Sequence, residues 1–353
     1  MSVLKFDTGL RAVALAEVPA AAKEAEEMGF AGLWTAETQH DPFLPLAVAA
    51  TATTRIQLGT AIAVAFPRAP FTVAMTAWDL AAGSQGRFIL GLGTQVKGHN
   101  ERRFSVPWTA PGPRMRDYIR CLRAIFRFWQ DGSRGQPDFV SEHYQFRLSS
   151  PFFAPPPLAH PYIDRHGEMR GVPIYIAAVN EYMYRLAGEL CDGVHVHPFH
   201  SVKYLTDVAL PNLEKGAAKS GRTLEDVERA TTAFVIMGDT EEELRRARDG
   251  VRQQIAFYAS TRTYHEVLAV HGWEDLAGQL HELSLRGQWQ EMGRLITDEM
   301  LAVYAVEGRP EEIPALLEKK YAGLLTRVAF YMPYQGATDA ARLRRVVQAF
   351  PRA

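Results

Sequence analysis

The side chains of this sequence that could do chemistry stand directly after short apolar runs. In residues 87–108 the apolar run FILGLG leads into a loop that carries Gly, Gln, Lys and His. Residues 30–41 and 55–70 repeat this order. In an α/β barrel the C-terminal ends of the parallel strands meet at one face, where cofactors and catalytic groups lie. The sequence therefore predicts one site that collects residues from several strand ends.

Two residues that follow the second apolar run are candidate catalytic groups. Glu37 comes directly after this run, and a buried carboxylate there could accept a proton, or a hydrogen bond from a cofactor ring. A helix cap or a solvated loop carboxylate is the alternative for Glu37. His40 could bring an imidazole to the site, whereas Asp41 before Pro42 is typical of a turn. We predict Glu37 and His40 as the catalytic residues.

Two further loops offer groups that could bind a cofactor. Thr94 and Gln95 stand between glycines, which let a ligand approach the backbone, and the Gln95 amide can both donate and accept hydrogen bonds. Ala178, Val179 and Asn180 precede a predicted helix, whose free amides and dipole suit a phosphate. Asn180 is equally a favoured helix cap that binds nothing.

Asp7 and His197 complete the predicted set of cofactor-binding residues. Asp7 ends the first predicted strand, and His197 follows the strand at 193–196. His195 and His197 alternate and therefore share a face of the chain. Two histidines at this spacing could begin a metal site, but the sequence offers no third ligand, so we predict no metal.

The elements that must position these residues alternate between strands and helices. This alternation predicts parallel strands with crossover helices and, with eight strands, a (β/α)8 TIM barrel. No G-x-G-x-x-G follows the first strand, which disfavours a doubly wound dinucleotide fold. The predicted strands are 3–7, 32–35, 56–62, 88–92, 173–177, 193–196, 231–237 and 325–331.

We predict a single domain over residues 1–353 with two insertions. The first, about 107–166, follows strand four, and its residues 143–148 alternate like one arm of a hairpin. The second, about 250–294, follows strand seven in a stretch, 240–320, that has an almost wholly helical pattern. The inserted segments are expected to shape a pocket for a small-molecule substrate whose identity the sequence does not give.

The composition excludes several classes of partner. A net charge of −1, with 22% charged residues, gives no electrostatic bias toward nucleic acid. The two cysteines, Cys121 and Cys191, fall in predicted helices without a paired framework, as expected for a reducing cytoplasmic setting. No signal peptide and no apolar window of membrane-spanning length is evident. The sequence predicts a cytoplasmic protein.

Three segments also carry a family resemblance. They are residues 91–108 with the following PGPRMRDYIRCLRAIF, residues 172–197, and residues 296–331. In this order they resemble bacterial luciferase-like flavin and deazaflavin oxidoreductases, and most of all the branch that depends on coenzyme F420. The resemblance implies a cytoplasmic homodimer that transfers a hydride between bound F420 and a small organic substrate.

The resemblance also implies a role for backbone that the residues alone do not suggest. By composition, the end of the third strand is an ordinary buried strand end. In the family, a non-proline cis peptide at this point backs the cofactor ring, and the matching bond joins Ala61 and Ile62. The loop at 178–180 would hold the cofactor phosphate. This sequence departs from the family pattern at one point. Relatives that use F420 often carry an acidic residue followed at once by His after the second strand, whereas here Thr38 follows Glu37.

Three alternatives remain open from sequence. An FMN-dependent two-component monooxygenase of the same superfamily would take reduced flavin from a partner reductase. A binding protein that sequesters a flavin would need no catalytic pair. A barrel hydrolase would use Asp7 and Glu37 as two carboxylates, whose separation a structure can test.

Overall fold

The computed structural model describes residues 4–10, 14–331 and 336–350. Eight parallel strands of the described chain close into a barrel, with each strand hydrogen-bonded to the next and β8 paired with β1. The strands are β1 Lys5–Gly9, β2 Gly32–Thr35, β3 Gln57–Thr60, β4 Phe88–Gly93, β5 Ile174–Ala178, β6 Gly193–Val196, β7 Glu228–Met237 and β8 Arg327–Phe330. The predicted (β/α)8 barrel is confirmed.

Helices surround the barrel and form most of the second insertion. The apolar faces of the crossover helices pack on the outer faces of the strands, and together they bury one large core. The α-helices of the described residues are Val18–Met28, Leu44–Ala52, Pro70–Gly83, Lys97–Arg102, Pro111–Gln130, Glu181–Leu190, Val202–Tyr204, Leu210–Ala218, Glu241–Ala259, His265–Ala269, Glu274–Leu285, Trp289–Arg294, Asp298–Tyr304, Ile313–Tyr321 and Gly336–Ala349.

The structure differs from the predicted elements after β7. We expected an almost wholly helical segment over 240–320 and no strand there, but Ala305–Gly308 is a strand that pairs in parallel with Phe234–Met237. This pairing exists because β7 is ten residues long and extends beyond the part that β6 and β8 cover. The four residues of this strand carry no local sequence pattern that predicts pairing with β7.

Two shorter differences have local causes. The alternation of strands and helices predicts one helix over 203–220, but the π-helical turn Leu205–Ala209 interrupts it just before Pro211, whose ring and missing N–H oppose regular helical bonding to the preceding turn. Lys97–Arg102 is a short helix where we expected a loop. Cys191 stands just after the helix Glu181–Leu190 rather than inside it.

The first insertion contains short antiparallel strand pairs. Phe139–Val140 pairs with Gln145–Phe146, which confirms the hairpin arm predicted at 143–148. A second pair, Tyr162–Ile163 with Met169–Gly171, precedes β5. The description of the chain as a single domain with two insertions stays a prediction.

No helix in the described ranges is both long and apolar enough to cross a bilayer.

A buried ion pair joins the first and last strands inside the barrel. Arg327 of β8 donates to both carboxylate oxygens of Asp7 in β1, each at 2.8 Å, and neither side chain is more than 3% exposed. Burial is the largest single influence and disfavours the guanidinium charge, but Asp7, Tyr175 and Glu228 together outweigh it and raise the pKa of Arg327. The Trp34 indole N–H also donates to Asp7, at 2.9 Å.

Loss of the Asp7 charge is expected to destabilise the fold strongly. An Asp7→Asn variant leaves the buried Arg327 with the longer ion pair to Glu228, at 3.6 Å, and loss of a buried partner typically costs up to about 3–5 kcal/mol. The matched control, Glu242→Gln, removes an exposed pair with Arg246 and should cost about 0.5 kcal/mol or less. Urea unfolding of both variants measures the difference, and equal midpoints would contradict a structural role for the ion pair.

Candidate functional site at the barrel mouth

Three rings inside the barrel form the floor of its mouth. Trp34 of β2, Tyr175 of β5 and His195 of β6 all occupy inward positions, and the His195 ring lies 5.1 Å from Trp34 and 5.4 Å from Tyr175. The Arg327 guanidinium lies 5.3 Å from the Trp34 ring on the side away from the mouth. The charged pair therefore lies below the floor, and only rings face upward.

The wall of the mouth at β3 and β4 is made of backbone. A Cβ on Gly91 would lie 1.8 Å from the Thr60 carbonyl oxygen, and one on Gly93 would lie 2.7 Å from the Ile62 side chain. The Thr60 hydroxyl donates to the Gly91 carbonyl at 2.6 Å and accepts from the Gly91 amide at 2.9 Å. The two strands therefore approach closely only because these positions lack side chains.

The peptide between Ala61 and Ile62 is cis, as the family resemblance implied. Ala61 donates from its amide to the Thr35 carbonyl at 2.6 Å, and the Ile62 carbonyl accepts from the Glu37 amide at 3.1 Å. These bonds join the ends of β2 and β3. Ala61 and Ile62, predicted to contact a cofactor through backbone, are both partly exposed at this edge.

Glu37 is engaged in an ion pair. One Arg68 nitrogen donates to both Glu37 carboxylate oxygens, at 2.7 and 3.0 Å, and the Val64 amide donates to the same carboxylate at 2.7 Å. The second Arg68 nitrogen donates to Asp41 at 3.1 Å. Glu37 therefore links the loops after β2 and β3 and has no oxygen free of a protein donor. Sequence reasoning missed Arg68, which no spacing rule connects to Glu37.

His40 lies at the rim of the mouth. It is exposed, and with Thr38, Leu44 and Pro45 it lines a cavity of about 360 Å³ between the loops that follow β1 and β2. The cavity is largely apolar. The catalytic role of His40 stays a prediction.

Asp7 does not lie at the mouth with the other candidates. Both of its oxygens accept from Arg327, and Oδ2 also accepts from Trp34, below the ring floor, so the structure gives Asp7 a place in the barrel interior. Asp7 and Glu37 are each neutralised by an arginine, which argues against a carboxylate pair that performs hydrolysis.

The loop after β4 is held by Asn100. Its side-chain amide donates to the carbonyls of Thr94 and Val96, at 2.9 and 3.1 Å, and the residue is fully buried. Gln95 adopts φ +56°, and its side-chain oxygen accepts from the Val96 amide at 2.9 Å. Thr94 and Gln95 are partly exposed at the mouth.

Asn180 caps the helix Glu181–Leu190 that follows β5. Its side-chain oxygen accepts from the Met183 amide at 3.1 Å. The Val179 carbonyl accepts from the Tyr204 hydroxyl at 2.6 Å, which fixes the turn, and Ala178 is buried. By helix geometry the amides of Glu181 and Tyr182 have no partner within the helix and are available to an anion.

His197 stands one residue beyond β6 under an aromatic cover from the second insertion. The His197 ring stacks on Tyr264 at 4.3 Å and meets the edge of Tyr258 at 4.5 Å. Tyr258 in turn shares a hydrogen bond with Tyr331, just after β8. Sequence analysis missed Tyr264, because only the fold brings residues 258–264 over β6.

Burial keeps three neighbouring histidines neutral. It lowers the pKa of His195 and His197 to about 3 each, with Arg327 and His200 as second causes respectively. The pKa of His200 falls to about 4, again through burial. Nδ1 of His197 accepts from the Phe199 amide at 3.1 Å, so its single proton lies on Nε2. Among the described residues no group of His, Cys, Asp and Glu could hold a metal.

Comparison with known sequences identifies the chain's relatives. The sequence model of the luciferase-like monooxygenase family matches residues 3–327. An uncharacterized protein of Mycobacterium tuberculosis is 46% identical over 315 residues, which cover 89% of each chain. The 5,10-methylenetetrahydromethanopterin reductase of Archaeoglobus fulgidus is 27% identical over 87% of each chain.

A solved structure shares the fold over nearly the whole chain. The coenzyme F420 dependent tetrahydromethanopterin reductase of Methanopyrus kandleri superposes with a TM-score of 0.78 and 20% sequence identity. The match covers 99% of this chain and 98% of the reductase. The (β/α)8 barrel is therefore a fold that this reductase shares.

Acid is expected to destabilise the protein through the neutral histidines. At a pH below 6.5, the ordinary pKa of histidine, each of these three side chains takes up a proton when the protein unfolds. The stabilising effect of each neutral histidine is therefore complete above pH 6.5 and is lost as the pH falls toward 3–4. Each histidine contributes a slope of about 1.4 kcal/mol per pH unit in this window. His200→Gln should remove one such contribution from the free energy of unfolding between pH 4.5 and 6.

The exposed His99, in the helix Lys97–Arg102, provides the control. His99→Gln is expected to keep the pH dependence of the unmodified protein. If both variants gave the same slope in urea titrations at several pH values, burial of His200 would not be the cause.

Proposed function

The chain belongs to the luciferase-like monooxygenase family and is an oxidoreductase, and we propose that its barrel mouth binds coenzyme F420 for hydride transfer to or from a small organic substrate. The proposal rests on one observation above all. Gly91 and Gly93 leave room for the Thr60 carbonyl and the Ile62 side chain, so the end of β3 packs closely on β4, and the partly exposed Ala61 and Ile62 there can present backbone to a planar ring system.

The residues around this wall fit the groups of such a cofactor. The Thr94 and Gln95 loop can donate to and accept from the polar edge of the ring, and Ala61 and Ile62 present backbone beside it. The turn Ala178–Asn180 and the amides that follow it would hold the phosphate. The bound deazaflavin supplies or accepts the hydride, while the protein supplies position and electrostatics.

The chain's own groups give the mouth a neutral character. His197 carries its proton on Nε2 and stays uncharged at physiological pH, so it can donate a hydrogen bond to the cofactor or substrate without a positive charge. Glu37 positions the loops after β2 and β3 through Arg68. The insertion aromatics Tyr258 and Tyr264 exclude water above His197.

Titration of the purified protein with F420, and separately with FMN, tests the cofactor. We expect saturable F420 binding with a dissociation constant at or below the micromolar range, and FMN bound at least about tenfold more weakly, a difference of about 1.4 kcal/mol. Tighter binding of FMN would favour the two-component monooxygenase with a partner reductase. Failure to bind either would contradict the proposal.

A glycine variant tests the backbone wall within the same titration. Gly93→Ala pushes the Ile62 side chain toward the ring face and should weaken F420 binding by about tenfold or more, about 1–3 kcal/mol. Gly83→Ala, at an exposed helix end with nothing within 4 Å, is the control and should bind normally. Equal affinities would place the ring elsewhere.

We propose His40 as the group that exchanges a proton with the substrate, because it faces the cavity at the rim while the Glu37 oxygens are occupied. When kcat is measured with a substrate that the protein converts, His40→Asn should lower kcat by about 100-fold, as expected for loss of a general acid or base. Turnover at the unmodified rate would exclude this role. The homodimer and the cytoplasmic location stay predictions from sequence.

A further inference from the structure

A second large cavity lies away from the barrel mouth. It is open to solvent and has a volume of about 980 Å³; it is lined by residues that follow β6, the outer side of β7, the helices Glu241–Ala259 and Asp298–Tyr304, and the end of Ile313–Tyr321. None of the residues predicted for the cofactor lines it. Its lining holds two carboxylates, Asp298 and Glu307, and six cationic side chains, Lys203, Arg245, Arg248, Arg252, Lys319 and Lys320.

The carboxylates of the lining are already engaged. Glu307 accepts from Arg248 at 2.5 to 3.1 Å, and Asp298 accepts from Arg252. Lys203 pairs with Asp207 at 2.5 Å. Every acid in the wall thus has a cation, and no wall carboxylate is left to repel an incoming anion.

Three of the cations have no carboxylate partner within the described part of the chain. They are Arg245 and Lys319, which are exposed, and Lys320, which is half-buried. The Lys320 ammonium donates to the carbonyls of Val303 and Ala305, each at 2.9 Å. An ammonium has three N–H donors, so one remains for a ligand. This arrangement leaves unneutralised positive charge in a protein whose net charge is −1.

Neutral hydrogen-bonding groups stand on the same wall. The Ser201 hydroxyl is buried and lies 2.8 Å from Nε2 of His271, and both residues line the cavity. Burial lowers the pKa of Lys320 to about 8, because the charged ammonium is desolvated there without a counter-ion. A bound anion would supply that counter-ion and accept a hydrogen bond from the Lys320 ammonium.

We propose that this cavity binds a small, multiply charged anion through Arg245, Lys319 and Lys320. The ligand class is a compact organic or inorganic phosphate or polycarboxylate, because separated ammonium and guanidinium groups satisfy several anionic oxygens at once. The site is distinct from the barrel mouth. It does not depend on the identity of the cofactor.

Isothermal titration of the full-length protein in an amine buffer tests the site with pyrophosphate and, separately, with citrate. At least one probe should bind saturably. The double variant Arg245→Gln/Lys319→Gln should weaken that binding by tenfold or more, because each removed charge-assisted hydrogen bond is worth about that factor. Pyrophosphate bound more tightly than citrate identifies a phosphate site, and the reverse order identifies a carboxylate site.

The control variant is Arg246→Gln, which removes one charge from the same helix. Arg246 is exposed, pairs with Glu242 at 3.5 Å and does not line the cavity. Both substituted residues of the double variant are exposed, so folding should be kept, and a thermal melt verifies it. Equal loss of affinity in the control and the double variant, or no saturable binding of either probe, overturns the proposal. Since no F420 is added, the outcome is independent of the cofactor titration.

Discussion

The ion pair between Asp7 and Arg327 is the interaction on which the rest of the barrel depends. It joins the first and last strands, and neither charge has access to water. A buried pair of this kind is costly to form, and removal of one partner is more costly still, so the contact between β8 and β1 is expected to be sensitive to loss of either charge. The Trp34 hydrogen bond to Asp7 then fixes the indole, and Trp34 with Tyr175 and His195 closes the interior below the mouth.

Above this floor the protein uses backbone and neutral groups. Gly91 and Gly93 remove side chains from one wall, and burial keeps His197 uncharged beside the opposite strands. The charged residues near the mouth neutralise each other, as Glu37 does with Arg68. Such a site favours a flat ligand held by shape and by hydrogen bonds to its edges, and Tyr258 and Tyr264 of the second insertion contact His197 at its side.

Most of the barrel could be predicted from sequence because local signals mark it. Gly29 ends the first helix with φ +100°, and apolar strands recur between amphipathic helices. The missed strand, Ala305–Gly308, has no such signal, because its partner is the free end of β7 about 70 residues earlier. The loops that form the site were predictable for a topological reason, since parallel strands bring all their C-terminal ends to one face.

The sequence by itself determined which loops meet and which ligand-type side chains they carry, among them Gln95, Asn180 and His197. Only the tertiary structure decided what those side chains can do. Asp7 and Glu37 are both carboxylates near strand ends, yet Asp7 is bound by an arginine 320 residues away and Glu37 by one 31 residues away. The reactivity of a carboxylate depends on burial and on its nearest charges, and these are set by folding contacts that sequence spacing does not encode.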